Sequence, residues 1–147
     1  MKTISQLLKT KGHNVWCIGP QASVFDAIKL MAEHEIGALV VTADGRLVGI
    51  FSERDYARKI ILLGRSSKTT TVDEVMTRDV VVADPEKTVE ECMALMTAKH
   101  IRHLPVMAEE RLVGMVSIGD LVKAIIAEQQ FVISQLESYI YGLPAGR

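Results

Sequence analysis

Aromatic side chains and cysteines are both scarce in this sequence of 147 residues. Aromatic residues make up 5% of the chain although 48% of it is hydrophobic, so the sequence predicts an aliphatic, methionine-rich core. The two cysteines, Cys17 and Cys92, are too few for a disulfide framework, and each lies in an apolar run, as expected of a small core residue. Neither has an acid–base partner nearby in sequence, which argues against a thiol nucleophile.

Other absences disfavour several functional classes. The chain has 17 basic and 18 acidic residues, which leaves no basic field for nucleic acid or an anionic membrane. Residues 1–8 lack the apolar stretch of a secretory signal, and no run approaches the roughly 20 apolar residues of a membrane span. There is no phosphate-binding glycine motif, and His100 and His103 do not have metal-ligand spacing on one helix face. We expect a soluble cytoplasmic protein without a metal site.

A seven-residue motif occurs twice, with its copies 65 residues apart. Residues 49–55 read Gly-Ile-Phe-Ser-Glu-Arg-Asp, and residues 114–120 read Gly-Met-Val-Ser-Ile-Gly-Asp. In each copy the apolar pair ends a predicted strand, Ser is a helix N-cap, and Asp follows three residues later as a capping-box acid. A helix that begins here presents unpaired N–H groups, which suit a phosphate. In the alternative interpretation, Ser and Asp only cap the helix.

The motif is part of an internal duplication that extends over most of the chain. Residues 15–62 align without a gap on residues 80–127, and 17 of the 48 positions are identical. We call these stretches the first half and the second half. A unit of about 50 residues with one apolar sheet face rarely stands alone. The sequence therefore predicts an α/β (α+β) fold, in which two pseudo-twofold-related βαββα repeats pack through their sheets.

Apolar periodicity and capping signals predict the elements. For the first part of the chain they are a helix at 3–8, a strand at 15–18, a helix from Ser23, strands at 38–42 and 47–51 around an Asp44-Gly45 turn, and a helix at 52–63. After a polar linker they are capping boxes at Thr71 and Thr88, a strand at 80–83, strands at 104–107 and 112–116, and a helix at 117–140. In that last helix the predicted inward stripe is Leu121, Val122, Ile125 and Ile126.

The doubled pattern resembles a pair of cystathionine β-synthase (CBS) domains, the Bateman module. The resemblance rests on both motif copies, each preceded by Leu-Val, and on residues 36–41 and 101–106. We place the repeats at 5–64 and 72–127, followed by a helical extension at 128–147. The resemblance implies a regulatory, stand-alone module that binds an adenosine-type ligand between its repeats and has no catalysis of its own.

The resemblance also implies which residues bind the ligand. In the family the Asp of the motif holds the ribose hydroxyls and the Ser lies beside the phosphate, which carries over to Asp55 with Ser52 and to Asp120 with Ser117. The adenine would then lie against aliphatic strand residues, namely Ile50, Met115, Val15 and Val80. AMP is the first choice of ligand, and ATP, NAD(H) and S-adenosylmethionine share the same adenine and ribose chemistry.

The candidate cations for the phosphate lie at positions where the two halves of the repeat differ in sequence. Arg102 and His103 replace Gly37 and Ala38 of the first half, and Arg54 stands where the second half has Gly119. These differences predict two sites of unequal affinity. The alternatives are that Arg102 is solvated at an edge and that Arg54 is solvated in the first helical turn.

The predicted last helix continues beyond its repeat, because no breaker occurs before Gly142 and Pro144. Its apolar positions Val132, Leu136 and Ile140 recur every four residues and need a covering partner. We therefore expect a homodimer held partly by this helix; in the alternative, the helix folds back on its own domain.

Two other functional classes remain open at this stage. One is a protein-interaction module whose nucleotide sites are degenerate and which acts through a regulated target protein. The other is an enzyme, for which the sequence offers no recognisable catalytic residues. Binding of adenosine-containing ligands separates the first interpretation from the interaction module, and turnover of any of these ligands would indicate the enzyme.

Overall fold

Two similar arrangements of helices and strands follow one another in the computed structural model, which describes residues 1–142. The first part contains α1 (Ile4–Lys11), β1 (Cys17–Ile18), α2 (Val24–His34), β2 (Ala38–Ala43), β3 (Arg46–Ser52), α3 (Glu53–Asp55) and a π-helical segment (Tyr56–Ile61). The second part contains α4 (Val72–Val75), α5 (Val89–Lys99), β4 (His103–Ala108), β5 (Arg111–Ser117) and α6 (Ile118–Tyr141). The predicted mixed α/β fold is confirmed. The predicted stop at Pro144 and the end of the 128–147 extension lie outside the described residues.

The helices begin where the capping signals predicted. Thr3, Thr71 and Thr88 each form a reciprocal capping box with the Gln or Glu three residues later. Ser23 caps α2 by accepting a hydrogen bond from the amide of Asp26 at 3.0 Å. These caps satisfy backbone donors that the first helical turn otherwise leaves unpaired.

The two central hairpins have the same register in both halves. In the first, Ala38 pairs with Ser52; in the second, His103 pairs with Ser117, and each hairpin has a bulge at the equivalent place. The first hairpin turns at Asp44 and Gly45, which have positive φ values of 53° and 76°. Asp and Gly tolerate this left-handed conformation, so this turn agrees with the sequence prediction.

The leading strands of the two halves differ from the prediction. Of the predicted strand at 15–18 only β1 forms, and it pairs parallel to β2. The predicted strand at 80–83 is wrong, because only Ala83 makes a bridge, to Val106. A proline explains the loss: Val40 donates its amide to the Trp16 carbonyl at 3.2 Å, whereas the equivalent Pro105 has no N–H to donate. The second sheet therefore has two strands and the first has three.

Each half completes its core with a short helix that lies next to the other half in sequence. Helix α1 packs its buried Ile4, Leu7 and Leu8 into the second core, formed mainly by the second half. The segment at α4 packs Val72, Val75 and Met76 into the first core, formed mainly by the first half. The short helix beside each half in sequence therefore enters the core of the other half, and backbone hydrogen bonds fix this exchange. The amide of Ile4 donates to the Lys87 carbonyl at 2.8 Å, and the amide of Val72 donates to the Ala22 carbonyl at 2.9 Å.

Several apolar side chains face solvent where an inward position was predicted. In α6 only Leu121 is buried, while Val122 and Ile126 are 41% and 48% exposed. Cys17 is also exposed, unlike the fully buried Cys92. The long helix itself is confirmed, and its C-terminal part carries exposed large apolar residues, namely Phe131, Val132, Ile133, Leu136, Tyr139, Ile140 and Tyr141.

A first prediction tests the exchange of α1. Leu8 is 1% exposed in the second core, so Leu8→Ala should lower the free energy of unfolding by about 2–5 kcal/mol in urea denaturation. Leu62→Ala, at a position 75% exposed, serves as the control and should change that free energy by less than about 0.5 kcal/mol. Equal stability of the two variants would show that α1 does not complete the second core.

Candidate functional site

The two motifs form the same reciprocal turn between a strand and a helix. In the first, the Asp55 amide donates to Ser52 Oγ at 3.2 Å and the Ser52 amide donates to Asp55 Oδ2 at 3.0 Å. In the second, the Asp120 amide donates to Ser117 Oγ at 3.2 Å and the Ser117 amide donates to Asp120 Oδ2 at 2.8 Å. The capping role of these residues is therefore confirmed in both halves.

A loop from the same half docks on the start of each motif helix. The amide of Glu53 donates to the Gly37 carbonyl at 3.0 Å, and the amide of Ile118 donates to the Arg102 carbonyl at 2.9 Å. The two contacts are equivalent in the internal repeat. They place the residue pair that differs between the halves directly beside the motif helices.

A cleft of about 920 Å³ lies between the first motif and the second half. It brings together seven of the predicted site residues, namely Ile50, Ser52, Arg54, Asp55, Val80, Arg102 and His103. Residues that the sequence analysis missed also line it, among them Arg58, Lys59, Thr77 and Asp79. The predicted residues Val15, Met115, Ser117 and Asp120 do not line this cleft.

Asp55 is the most constrained polar group in the cleft. The residue is 7% exposed; its Oδ1 accepts from Thr77 Oγ at 3.1 Å and from Lys59 Nζ at 3.0 Å, while its Oδ2 accepts from both the amide and the hydroxyl of Ser52. A carboxylate has about four acceptor positions, so these four donors use all the hydrogen-bond acceptor positions of Asp55. A ligand hydroxyl must replace one of them, and Lys59 is the most accessible, because its side chain is 39% exposed.

Thr77 and Lys59 also fix the wall of the cleft. Thr77 exchanges two backbone hydrogen bonds with Ile50, at 2.8 and 2.9 Å, and Lys59 donates to the Val75 carbonyl at 2.9 Å. The spacing of Lys59 four residues after Asp55 was a usable signal in the sequence. Thr77 had no such signal, because its partner Asp55 lies in a distant motif.

The charges in the cleft favour an anion. Four cationic side chains, Arg54, Arg58, Lys59 and Arg102, line it together with three carboxylates, Glu53, Asp55 and Asp79. Arg54 is exposed, and its guanidinium donates to the carbonyl of His100, so it bridges to the second half. Arg102 is exposed at the cleft.

His103 lies at the junction of the two motifs. Burial lowers its pKa, and the neighbouring charges of Lys11 and Arg102 lower it further, while Asp120 acts in the opposite direction. A Cβ on Gly37 would lie 3.2 Å from His103 Cε1, so glycine at this position leaves room for the imidazole. Because its pKa is lowered, the ring is mainly neutral near pH 7.

The second motif has a different set of partners. Lys11 Nζ lies 2.7 Å from Asp120 Oδ2 and donates to the Met115 carbonyl at 2.5 Å. Burial raises the pKa of Asp120, but the hydrogen bonds from Lys11 and Ser117 lower it more, so the net pKa is below its ordinary value. The sequence analysis missed Lys11, because it lies far from the motif along the chain.

The two cysteines and Trp16 are not among the residues that line the cleft. Burial raises the pKa of the Cys92 thiol to about 11, and partial desolvation raises that of the more exposed Cys17, so both thiols stay protonated near pH 7. Within residues 1–142, no group of three or more His, Cys, Asp or Glu side chains is placed to hold a metal ion.

Trp16 stacks on His34 with ring centroids 3.5 Å apart and is 40% exposed. No helix among the described residues has the length and apolarity needed to cross a membrane.

Comparisons with known proteins identify similar chains. A family model described as CBS domain matches residues 5–62 and 72–127. CBS domain-containing protein CBSX3, mitochondrial, of Arabidopsis thaliana is 44% identical over 150 residues, which cover 95% of this chain and 72% of that protein.

Solved structures agree with this match. The crystal structure of the CBS domain NE2398 has 52% identity and a TM-score of 0.83, and the match covers 86% of this chain and 99% of that chain. The CBS domain pair of protein MJ0100, solved in complex with 5′-methylthioadenosine and S-adenosyl-L-methionine, has 25% identity and a TM-score of 0.75, with coverages of 87% and 98%.

A second prediction concerns the pKa of His103. Because the folded pKa is lowered, the unfolded chain takes up this proton first, near pH 6.5, and stability is lost as the pH falls from there toward the folded pKa. Between about pH 7 and about pH 5, the free energy of unfolding should therefore fall less in His103→Gln than in the unmodified protein. An NMR titration of the His103 ring with a midpoint at or above about 6.5 would contradict this prediction.

Proposed function

The chain belongs to the CBS-domain family, and on that premise we propose that it is a regulatory module that binds an adenosine-containing ligand between its halves and catalyses no reaction. The observation that carries the proposal is the cleft of about 920 Å³ that joins the first motif to Val80, Arg102 and His103. Its volume is in the range of small-ligand sites. MJ0100, to which this chain is similar, was solved with two adenosine-type ligands.

The cleft offers a separate surface for each part of a nucleotide. Ile50, Val80 and Met96 form an apolar wall for the adenine. The ribose hydroxyls replace Lys59 on Asp55, an exchange that costs little because a partly exposed ion pair contributes only about 0–1 kcal/mol. Lys59 then remains beside the ligand as a further cation.

The phosphate group faces the second half. Arg102 provides a fixed positive charge, and a guanidinium binds phosphate oxygens with two parallel hydrogen bonds. His103 adds a second donor when the phosphate raises its pKa and the ring takes up a proton. AMP is the proposed ligand, and ATP, NAD(H) and S-adenosylmethionine are the alternatives to be compared with it.

A second candidate function is protein interaction with degenerate nucleotide sites and a regulated target protein. The observation that favours it is that protein groups already occupy all four acceptor positions of Asp55. Equilibrium titration with AMP, ATP, NAD(H) and S-adenosylmethionine separates the two candidates, because degenerate sites bind none of them.

The cytoplasmic location and the assignment of the remaining site residues, Val15, Met115, Ser117 and Asp120, stay predictions.

A third prediction tests the phosphate contact. Arg102→Ala should weaken AMP binding by about tenfold in isothermal titration calorimetry, which corresponds to the loss of a charged hydrogen-bond pair of about 1.4 kcal/mol. Adenosine affinity should be nearly unchanged, because adenosine has no phosphate. Lys99→Ala, at an exposed position on α5 outside the cleft, is the matched control and should bind AMP normally. Equal losses for AMP and adenosine in Arg102→Ala would show that Arg102 does not hold the phosphate.

We also propose that two copies of the chain form a homodimer through α6. Leu136 and Ile140 are 56% and 67% exposed, and residues 129–141 contain one charged residue, Glu137, so two copies meet there with little repulsion. Helix α6 extends past its repeat with this face exposed, which argues against the alternative in which it folds back on its own domain. A closed twofold pair is the commonest way to bury such a face.

A fourth prediction tests this dimer. Leu136→Glu should raise the dimer dissociation constant on the order of 100-fold or more in sedimentation equilibrium, because each copy loses about 1.5–3 kcal/mol of apolar burial. Glu137→Gln, at the adjacent exposed position, should leave the dimer intact. A full-length protein that is monomeric at micromolar concentration would rule the dimer out. A Leu136→Glu variant that still dimerises would place the interface elsewhere.

A further inference from the structure

One hydrogen bond joins the helix of the first motif directly to the second half. Arg54, the second residue of α3, donates from its guanidinium to the carbonyl of His100, at the end of α5. Within the described part of the chain, it is the only hydrogen bond or ion pair between residues 53–61 and residues 80–127. Both partners line the cleft. The contact therefore connects the two sides of the cleft.

The acceptor of this bond lies at the C-terminal end of α5. His100 has a positive φ of 55°, and the amides of His100 and Ile101 donate back to the carbonyls of Thr97 and Met96 at 3.4 and 3.0 Å. The carbonyls at this end carry the negative end of the helix dipole, which a nearby cation stabilises. Arg54 supplies that cation from the other half.

The equivalent helix of the first half ends without such a contact. In the internal repeat Glu35 is equivalent to His100, and it ends α2 with the same backbone conformation, with a φ of 53° and amide hydrogen bonds of 3.4 and 3.0 Å. The equivalent of Arg54 is Gly119, which has no side chain that could reach across. Because α2 ends in this conformation without an arginine, the Arg54 contact is not needed to form the end of α5.

Arg54 can exchange this partner for a stronger one. Its side chain is exposed and donates to a neutral carbonyl, whereas hydrogen bonds to an ionised acceptor such as phosphate are roughly twice as strong. Arg102, the proposed phosphate-binding residue, lies two positions after His100, in the loop between α5 and β4. A phosphate on Arg102 therefore lies close to the carbonyl that Arg54 holds.

We propose that Arg54 is a phosphate-operated latch between the halves, which holds the His100 carbonyl until the phosphate of a nucleotide draws the guanidinium away. A nucleotide then removes the cation from the end of α5, whereas a nucleoside leaves the contact in place. The signal that passes from the cleft to α5 is therefore the phosphate of the ligand, and neither its base nor its ribose. This inference rests on the proposed function, because it uses the same ligand and the same cleft.

The test follows the carbonyl carbon of His100 by NMR of isotope-labelled protein, because loss of a hydrogen bond moves such a resonance upfield. Saturating AMP should move it upfield, and saturating adenosine should leave it nearly unchanged. Arg54→Ala should show the upfield position without ligand, and AMP should move it little further. The carbonyl of Glu35, at the equivalent end of α2, is the internal control and should keep its position in every sample.

Arg58→Ala is the matched control variant. Arg58 is an exposed arginine that also lines the cleft, four residues after Arg54, and it makes no hydrogen bond to α5 within the described residues. This variant loses the same charge, so its His100 resonance should keep both its position and its response to AMP. Calorimetry should show AMP binding about fivefold weaker in Arg54→Ala, because a charged partner no longer replaces a neutral one, with adenosine binding nearly unchanged.

Three results overturn the inference. These are a His100 resonance that stays in place when calorimetry shows the protein to be saturated with AMP, an equal shift with adenosine, and a resonance in Arg54→Ala that matches the unmodified protein. The first two leave the proposed function intact, because the ligand still binds. Absence of both AMP and adenosine binding in calorimetry instead contradicts the proposed function, and this inference with it.

Discussion

The structure depends on the exchange of two short helical segments between the halves. Neither half buries its apolar sheet face alone: α1 covers the second core, and the segment at α4 covers the first. The connecting chain must therefore cross between the halves twice, and the segment after α4 brings Thr77 to Asp55. The cleft exists because this crossing places residues of the linker and of both halves around one motif.

The exchange of these segments also explains why the two motifs have similar backbones but different side-chain partners. The hairpins, the bulges and the capping turns coincide in the two halves, so the duplicated backbone specifies similar geometry at both motifs. The residues that approach each motif from elsewhere differ, with Thr77 on one carboxylate and Lys11 on the other. The differences between the two motifs therefore come from the segments that approach them, as well as from Arg102 and His103.

Most of the fold could be predicted from local sequence patterns, because capping and hairpin turns involve residues close together in the chain. The prediction of a strand at 80–83 was wrong. The segment is apolar, but its partner strand contains Pro105, which has no N–H to donate. The proline was visible in the sequence and argues against this pairing. At the site, the motif residues were predictable from their repetition. The contacts of Thr77 and Lys11 were not, because they join residues far apart, and periodicity does not show which core a short helix enters.

The location of α1 has a consequence for synthesis on the ribosome, where the chain emerges from its N-terminus. The first core contains residues from Val24 to Met76 and can close once these have emerged, whereas the second core joins Leu8 to Leu121. The apolar face of α1 therefore stays uncovered until the residues of the second core, as far as Leu121, have emerged. Contacts between such distant residues form slowly, and exposed apolar surface of this kind attracts chaperones and other chains. The helix that precedes both halves in this sequence is therefore one of the last elements to pack.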